Sequence, residues 1–201
     1  MRNYSLLFFA FLLLSTTRSF VEYSKEQSLA IYLKNPSFED QPQDATTPTD
    51  WHPCNPGTTP DILPGFWGVE TEPSEGETYV GLITRSDGSR EAIGQRLSRP
   101  LKAKSCYRLV LDLAHSYTYA GYNKPIKLRV WGGSNFCEKR ELLWETEFIE
   151  NEDWKTFTFN LLPKKEVKYL IFEAFYREEN ATRQGNVLID NIRPIQICPR
   201  A

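Results

Sequence analysis

The chain has 201 residues, with 24 Lys and Arg against 26 Asp and Glu, a formal net charge of −2. A balance so close to zero argues against nucleic acid or an anionic membrane as the principal partner. With 5 Trp, 10 Tyr and 12 Phe but a single Met, the composition is that of a β-rich extracellular domain and not of a helical bundle.

The first element is an export signal. Arg2 precedes an apolar run from Leu6 to Leu14, and the small polar stretch Ser15-Thr16-Thr17-Arg18-Ser19 follows it. That pattern predicts a secretory signal peptide over residues 1–20, cut near Ser19, and is too short for a membrane anchor. No Cys follows the run, which argues against a lipidated N-terminus, and no other stretch is apolar enough to span a bilayer. Residues 21–201, about 180 of them, are then expected to form one domain. It would be soluble and secreted, or exported to the periplasm or cell surface.

Residues 41–64 hold Pro42, Pro48, Pro53, Pro56, Pro60 and Pro64, a density that excludes helix and central strand. A long loop is expected there, with Trp51, His52, Phe66 and Trp67 in or beside it. Packing is the plainer role for Trp51, as a cap on the core. Thr78 to Thr84 and Glu91 to Leu97 read as strands around the turn Ser86-Asp87-Gly88-Ser89, a predicted hairpin. Tyr107, Leu109, Leu111 and Leu113 share one parity, which names the core face of a half-buried strand.

His115 to Pro125 is a predicted loop carrying Tyr117, Tyr119 and Tyr122. In the next strand Ile126, Leu128 and Val130 alternate with Lys127, Arg129 and Trp131, so Trp131 falls on the polar side beside two cations. Gly132-Gly133 breaks this strand. Leu142 to Ile149 and Trp154 to Leu161 follow as strands. Val167 to Tyr176 is apolar on both parities except for Glu173, as suits a central strand covered on both faces. A polar segment, Arg177 to Gly185, leads to the last strand, Asn186 to Ile192. Eight or nine short strands without a useful amphipathic helix predict a two-sheet sandwich.

Cys54, Cys106, Cys137 and Cys198 all fall in the mature chain, and four cysteines allow three pairings. No two are spaced as zinc ligands are. If Cys106 opens a strand antiparallel to the one Cys198 closes, those two are neighbours, which leaves Cys54 to Cys137.

Two carboxylates are out of keeping with their surroundings. Asp190 stands in Val187-Leu188-Ile189-Asp190-Asn191-Ile192, where burial is costly without a partner. Glu39 follows Phe38 at the exit of a predicted first strand. Together they suggest that the first and last strands meet around a cation.

The segment Asn35-Pro36-Ser37-Phe38-Glu39, the Trp soon after it, and the closing Leu188-Ile189-Asp190-Asn191-Ile192 resemble the carbohydrate-binding-module-like, galactose-binding-domain-like jelly rolls. Tyr79-Val80-Gly81-Leu82, Ile93-Gly94-Gln95-Arg96-Leu97, Cys106-Tyr107-Arg108-Leu109 and Trp154 to Phe159 resemble the intervening strands of that family, so the likeness runs from about Ile31 to Ile197. It implies an all-β, two-sheet antiparallel jelly-roll β-sandwich. It also implies a structural calcium (Ca2+) held by Glu39 and Asp190 with main-chain carbonyls, hard oxygen donors of the kind that ion takes. Without a metal the same carboxylates would bond to backbone amides.

Sugar sites combine flat aromatic rings with polar hydrogen bonders. Two groups meet that description as ligand-binding candidates. One is a loop rim of Tyr117, Tyr119 and Tyr122, with Trp67 if the Pro-rich loop folds over them. The other is the face of Trp131, Arg129 and Lys127, joined by Arg108 and Asp112 if the two strands share a sheet. Catalytic patterns are thin: His52 and His115 are the two histidines, and neither a Gly-x-Ser-x-Gly elbow nor a His-Glu-x-x-His helix occurs. Asn180-Ala181-Thr182 is a glycosylation sequon. The expected function is a secreted, non-catalytic glycan-binding module whose partner is a glycan or cell-surface polysaccharide. The main alternative is a cell-surface adhesion or assembly module with protein partners, and the third is a small polysaccharide-active enzyme.

Overall fold

Short segments rich in apolar residues, punctuated by Gly and Pro, produce strands. In this computed structural model, which describes residues 30–176 and 183–199, they number twelve. The predicted leader at 1–20 and the sequon at 180–182 lie outside the described residues. In chain order the strands are β1 His52–Pro53, β2 Asp61–Leu63, β3 Tyr79–Thr84, β4 Ala92–Leu101, β5 Tyr107–Ala114 and β6 Lys124–Pro125. Then come β7 Lys127–Gly133, β8 Glu141–Glu145, β9 Lys155–Leu161, β10 Val167–Phe175, β11 Gly185–Asp190 and β12 Gln196–Ile197.

The strands form two sheets. One runs β1-β4-β10-β7-β8. The other runs β12-β5-β11-β3-β2, with β9 on the far edge of β5 and β6 beside β11. All pairings are antiparallel except the two-residue contact of β6 with β11. The all-β antiparallel sandwich is therefore the fold that the strand pattern implied. Its core lies between the sheets, with Leu109, Leu111 and Leu113 of β5 facing Leu128 and Val130 of β7 and Leu170 and Phe172 of β10. Trp51 is buried and caps this core, its ring 4.9 Å from Phe38 and 5.8 Å from Phe172. Its Nε1 donates to the Asn35 carbonyl at 2.9 Å.

Three local expectations are corrected. The segment before Glu39 is a turn and not a strand, because Asn35 and Phe38 both adopt left-handed backbone (φ 42° and 58°), which breaks extended geometry. β3 and β4 are not a hairpin. They keep only the hydrogen bonds next to the turn, such as Glu91 N to Ile83 O at 3.0 Å, and then part into opposite sheets. β5 and β7 do not share a sheet either, so Arg108 and Asp112 are not beside Trp131.

The two disulfides are Cys54–Cys137 and Cys106–Cys198. The second follows from β12 lying antiparallel to the start of β5, with Ile197 opposite Tyr107. Such bonds fit an oxidising, extracellular setting. Among the described residues no helix is long and apolar enough to cross a membrane.

Candidate functional site

Residues directly opposite one another in a sheet point to the same face. In the five-stranded sheet the register places Arg129, Glu173 and Ala92 in one row, and Trp131, Ile171 and Gly94 in the next. These rows point away from the core. Ile171, Glu173 and Phe175 on that outer face are nonetheless buried, at 0%, 4% and 6% exposure, so loops roof it. One part of the roof is the Cys54–Cys137 bridge. A Cβ on Gly94 would lie 2.8 Å from Ile171 Cγ1, 2.9 Å from the Leu170 carbonyl oxygen and 3.1 Å from Cys54 Sγ, so that strand position has no room for a side chain under the bridge. Beyond the bridge, Phe136 packs edge-on to His52 and Tyr169. The face is thus interrupted and does not form a continuous groove.

What stays open is a cavity of about 590 Å³ bordered by Trp131, Arg129, Arg90, Lys139, Glu173 and Asn55, with the Gly88-Ser89 turn at its rim. Glu173 organises it. Its Oε2 accepts the Trp131 indole N–H at 2.7 Å, and its Oε1 accepts Lys139 Nζ at 2.6 Å and Asn55 Nδ2 at 3.4 Å. Arg90 Nε is 3.6 Å from the same oxygen. Burial pushes the Glu173 carboxyl up, but the Lys139 ammonium and the Trp131 and Asn55 donors outweigh it and hold it below the ordinary carboxylate value. Arg129 lies over the Phe175 ring, 3.1 Å from its centroid, and donates through Nε to Glu145 at 2.6 Å. Trp131, half-buried and fixed at its nitrogen, presents the remaining ring surface to the cavity.

Sequence reasoning placed Trp131 and Arg129 together but missed Asn55 and Arg90, which come from loops far away in the chain, and Lys139, which the loop directly after β7 turns back over the sheet. Glu173 carried a visible signal, as the lone charge in the apolar run of β10.

The loop rim is assembled differently from expectation. Trp67 and Tyr117 are both exposed, and their loops are joined by Ala120 N donating to Trp67 O at 2.8 Å. Tyr119, expected on the ligand surface, is buried in a small second core with Tyr79, Leu63 and Leu188. Its hydroxyl donates to the Asp61 carboxylate, and burial raises the Asp61 carboxyl above its ordinary value. A large ring with one polar tip can satisfy both demands in the interior. Tyr122 is half-buried against the same cluster. Tyr117 sits edge-on to His115, with centroids 4.5 Å apart.

Glu39 and Asp190 converge on one loop. Asp190 Oδ2 accepts the N–H groups of Ser74 and Glu75 at 2.8 and 2.9 Å, and its Oδ1 accepts that of Asn191 at 2.6 Å. Glu39 Oε2 accepts the N–H of Glu77 at 2.9 Å. Gly76, between these donors, has φ +69°, and a Cβ there would collide with the Glu39 carboxylate. Burial raises the Asp190 carboxyl to about 7, three backbone donors pull it back, and the nearby Glu39 charge adds to the rise. Neither carboxylate has a Lys or Arg partner among the described residues. The two carboxylates are thus bonded to backbone amides, and among the described residues no group of three or more His, Cys, Asp or Glu side chains is placed to hold a metal ion. Asp112 belongs to this region, accepting from Ser74 Oγ, Thr156 Oγ1 and Asn191 Nδ2.

No protein-family model matches the chain, and no curated protein does. Among solved structures it is similar to a Stig cyclase, Fisc, from Fischerella sp. TAU, with 16% identity and a TM-score of 0.56 over 86% of this chain and 99% of that one. It is similar to the K3 cleaved adhesin domain of Lys-gingipain from Porphyromonas gingivalis W83, with 14% identity and a TM-score of 0.50 over 80% and 95%. It is also similar to the CBM22-1 xylan-binding domain of Paenibacillus barcinonensis Xyn10C, with 12% identity and a TM-score of 0.50 over 82% and 93%. At these identities the shared feature is the β-sandwich.

Proposed function

We propose that this protein is a secreted, non-catalytic glycan-binding module that holds a short stretch of sugar in the cavity beside Trp131. The observation that carries the reading is the Trp131 ring itself. It is fixed at its nitrogen by buried Glu173, has one surface toward an open cavity, and is surrounded by fixed donors from Arg90, Arg129 and Lys139. A flat apolar surface ringed by donors suits the C–H faces and hydroxyl edges of a pyranose. The likeness to a xylan-binding domain agrees with this at the level of fold. Because the Cys54–Cys137 bridge interrupts the face, the module takes a chain end or a short branch and not the middle of a long polymer.

A glycan array probed with the chain from residue 21 onward tests the reading. Binding should appear and fall at least about tenfold in Trp131→Ala, as expected for one lost aromatic contact of about 1.4 kcal/mol or more. Binding to no glycan, or binding indifferent to Trp131, would refute it. Release of reducing sugar would instead make the protein a polysaccharide-active enzyme.

Calcium, in this proposal, neutralises Glu39 and Asp190 and is structural. Export rests on residues 1–20 acting as a cleaved leader, which N-terminal sequencing of the secreted protein checks. A second reading, a cell-surface adhesion or assembly module, is favoured by exposed Trp67 and Tyr117 on adjoining loops and by the adhesin-like sandwich. It predicts a protein partner lost on Trp67→Ala and unaffected by Trp131→Ala.

A further inference from the structure

The cavity beside Trp131 has an imbalance of charge that a neutral sugar does not need. Three cations border it, Arg90, Arg129 and Lys139, against one bordering carboxylate, Glu173. Lys139 is committed to Glu173, with its second contact going to Asn55 Oδ1 at 2.6 Å. The two arginines are not. Arg129 spends only its Nε edge, on Glu145, which also faces Lys127 at 3.6 Å. Arg90 approaches Glu173 through Nε alone, at 3.6 Å. The Nη groups of both arginines therefore make no hydrogen bond among the described residues. Both guanidinium groups flank the same ring, Phe175, at 3.1 and 5.1 Å from its centroid. Stacking on that buried ring orients the two forks while leaving their donors free.

Resting on the glycan-binding reading, we propose that this cavity selects a sugar bearing an oxyanion, a uronate carboxylate or a sulfate, with the anion held between Arg90 and Arg129 and the sugar ring against Trp131. A planar guanidinium offers two parallel N–H donors that match a carboxylate or sulfate edge, and Lys cannot reproduce that fork. Glu173, already saturated by Trp131, Lys139 and Asn55, is not free to repel the ligand's charge. The flanking bridge confines the anion to a terminal or branch unit.

The test is calorimetric titration of the chain from residue 21 onward with four probes. They are a galacturonate trisaccharide, its methyl ester, and a sulfated galactose oligosaccharide with its unsulfated counterpart. The acid or the sulfated sugar should bind at least about tenfold tighter than its neutral partner, the gain expected of charge-assisted hydrogen bonds. Which of the two shows the gain identifies the oxyanion. Arg129→Gln and Arg90→Gln should each bring the ratio of charged- to neutral-sugar affinity close to one, and Arg129→Lys should not restore it. Arg90 is the more exposed of the two, so its variant keeps the test alive if Arg129→Gln does not fold. Equal binding of charged and neutral sugars, still lost in Trp131→Ala, overturns this proposal and leaves the glycan reading standing. Absence of binding to all probes and to the wider array overturns both.

Discussion

His115 is fully buried beneath Tyr117, and neither ring nitrogen makes a hydrogen bond among the described residues. A charged imidazolium there would lose hydration, so burial lowers its pKa from 6.5, and the nearby backbone of Asn123 and Lys124 and the Glu150 charge offset only part of that. The unfolded chain takes up a proton at about pH 6.5 while the folded chain resists. By linkage, the stability from keeping His115 neutral is complete above that pH and is lost as pH falls below it. The parent should therefore lose urea stability between pH 7 and pH 5 relative to His115→Phe, which keeps a ring without the titration, while Asp190 shifts both proteins alike the other way over that window. An equal slope in the variant would reject the account. In the sequence His115 only opens a predicted loop, and a single polar letter at a strand exit does not reveal whether that loop will close over it. Glu173 was legible for the opposite reason. A charge inside an apolar strand covered on both faces must find partners, and the partners, not the need for them, were what the sequence hid.

Strands were readable from parity. Which sheet each strand joins was not. The alternation of Ile126, Leu128 and Val130 named the core face of β7 and put Trp131 on the opposite one, as the structure has it. Nothing local indicated that β3 and β4 would separate after a tight turn, since a turn sets the entry geometry and the packing of Ile93 and Leu97 decides the rest. The outer face of β10 is a joint product of distant segments, with the loop before β2 and the loop after β7 brought over it by Cys54–Cys137. That bridge encloses 83 residues of separation, so removing it frees a large loop in the unfolded state. The double variant Cys54→Ala, Cys137→Ala should cost about 2–4 kcal/mol in chemical denaturation. It should also uncover Ile171 and Gly94, making the site more open to long polymers. Unchanged stability together with unchanged preference for short ligands would show that the roof holds without the bond.

At the scale of the molecule, the C-terminal segment is fastened in three ways. Ile31 and Ile195 exchange backbone hydrogen bonds at 2.8 Å, Ile192 N donates to Pro36 O at 3.0 Å, and Cys106–Cys198 ties β12 to β5. The fourth fastening is electrostatic, and its sign depends on pH. Asp190, raised from 3.8 to about 7, binds its proton more tightly in the folded chain than in the unfolded one. In metal-free buffer its contribution is therefore complete below about pH 4 and is lost as pH climbs toward 7, where two ionised carboxylates face each other across the 74–77 loop. The proposed calcium would bind the ionised form, so it should restore stability only where that form exists. At pH 8, calcium at a hundredfold excess over its dissociation constant should add about 2.7 kcal/mol. For a domain of this size that is an increase in Tm of about 5–10 °C. At pH 5 the increase should be much smaller, and EDTA should reverse it at either pH. Asp190→Asn should abolish the calcium response and, at pH 8, remove the cost of a buried charge and its repulsion from Glu39, while giving up one of the two oxygens that accept the backbone N–H groups of Ser74, Glu75 and Asn191. A calcium response that persists in Asp190→Asn, or one of equal size at pH 5 and pH 8, would place the ion elsewhere and leave the convergence of Glu39 and Asp190 as a purely hydrogen-bonded closure.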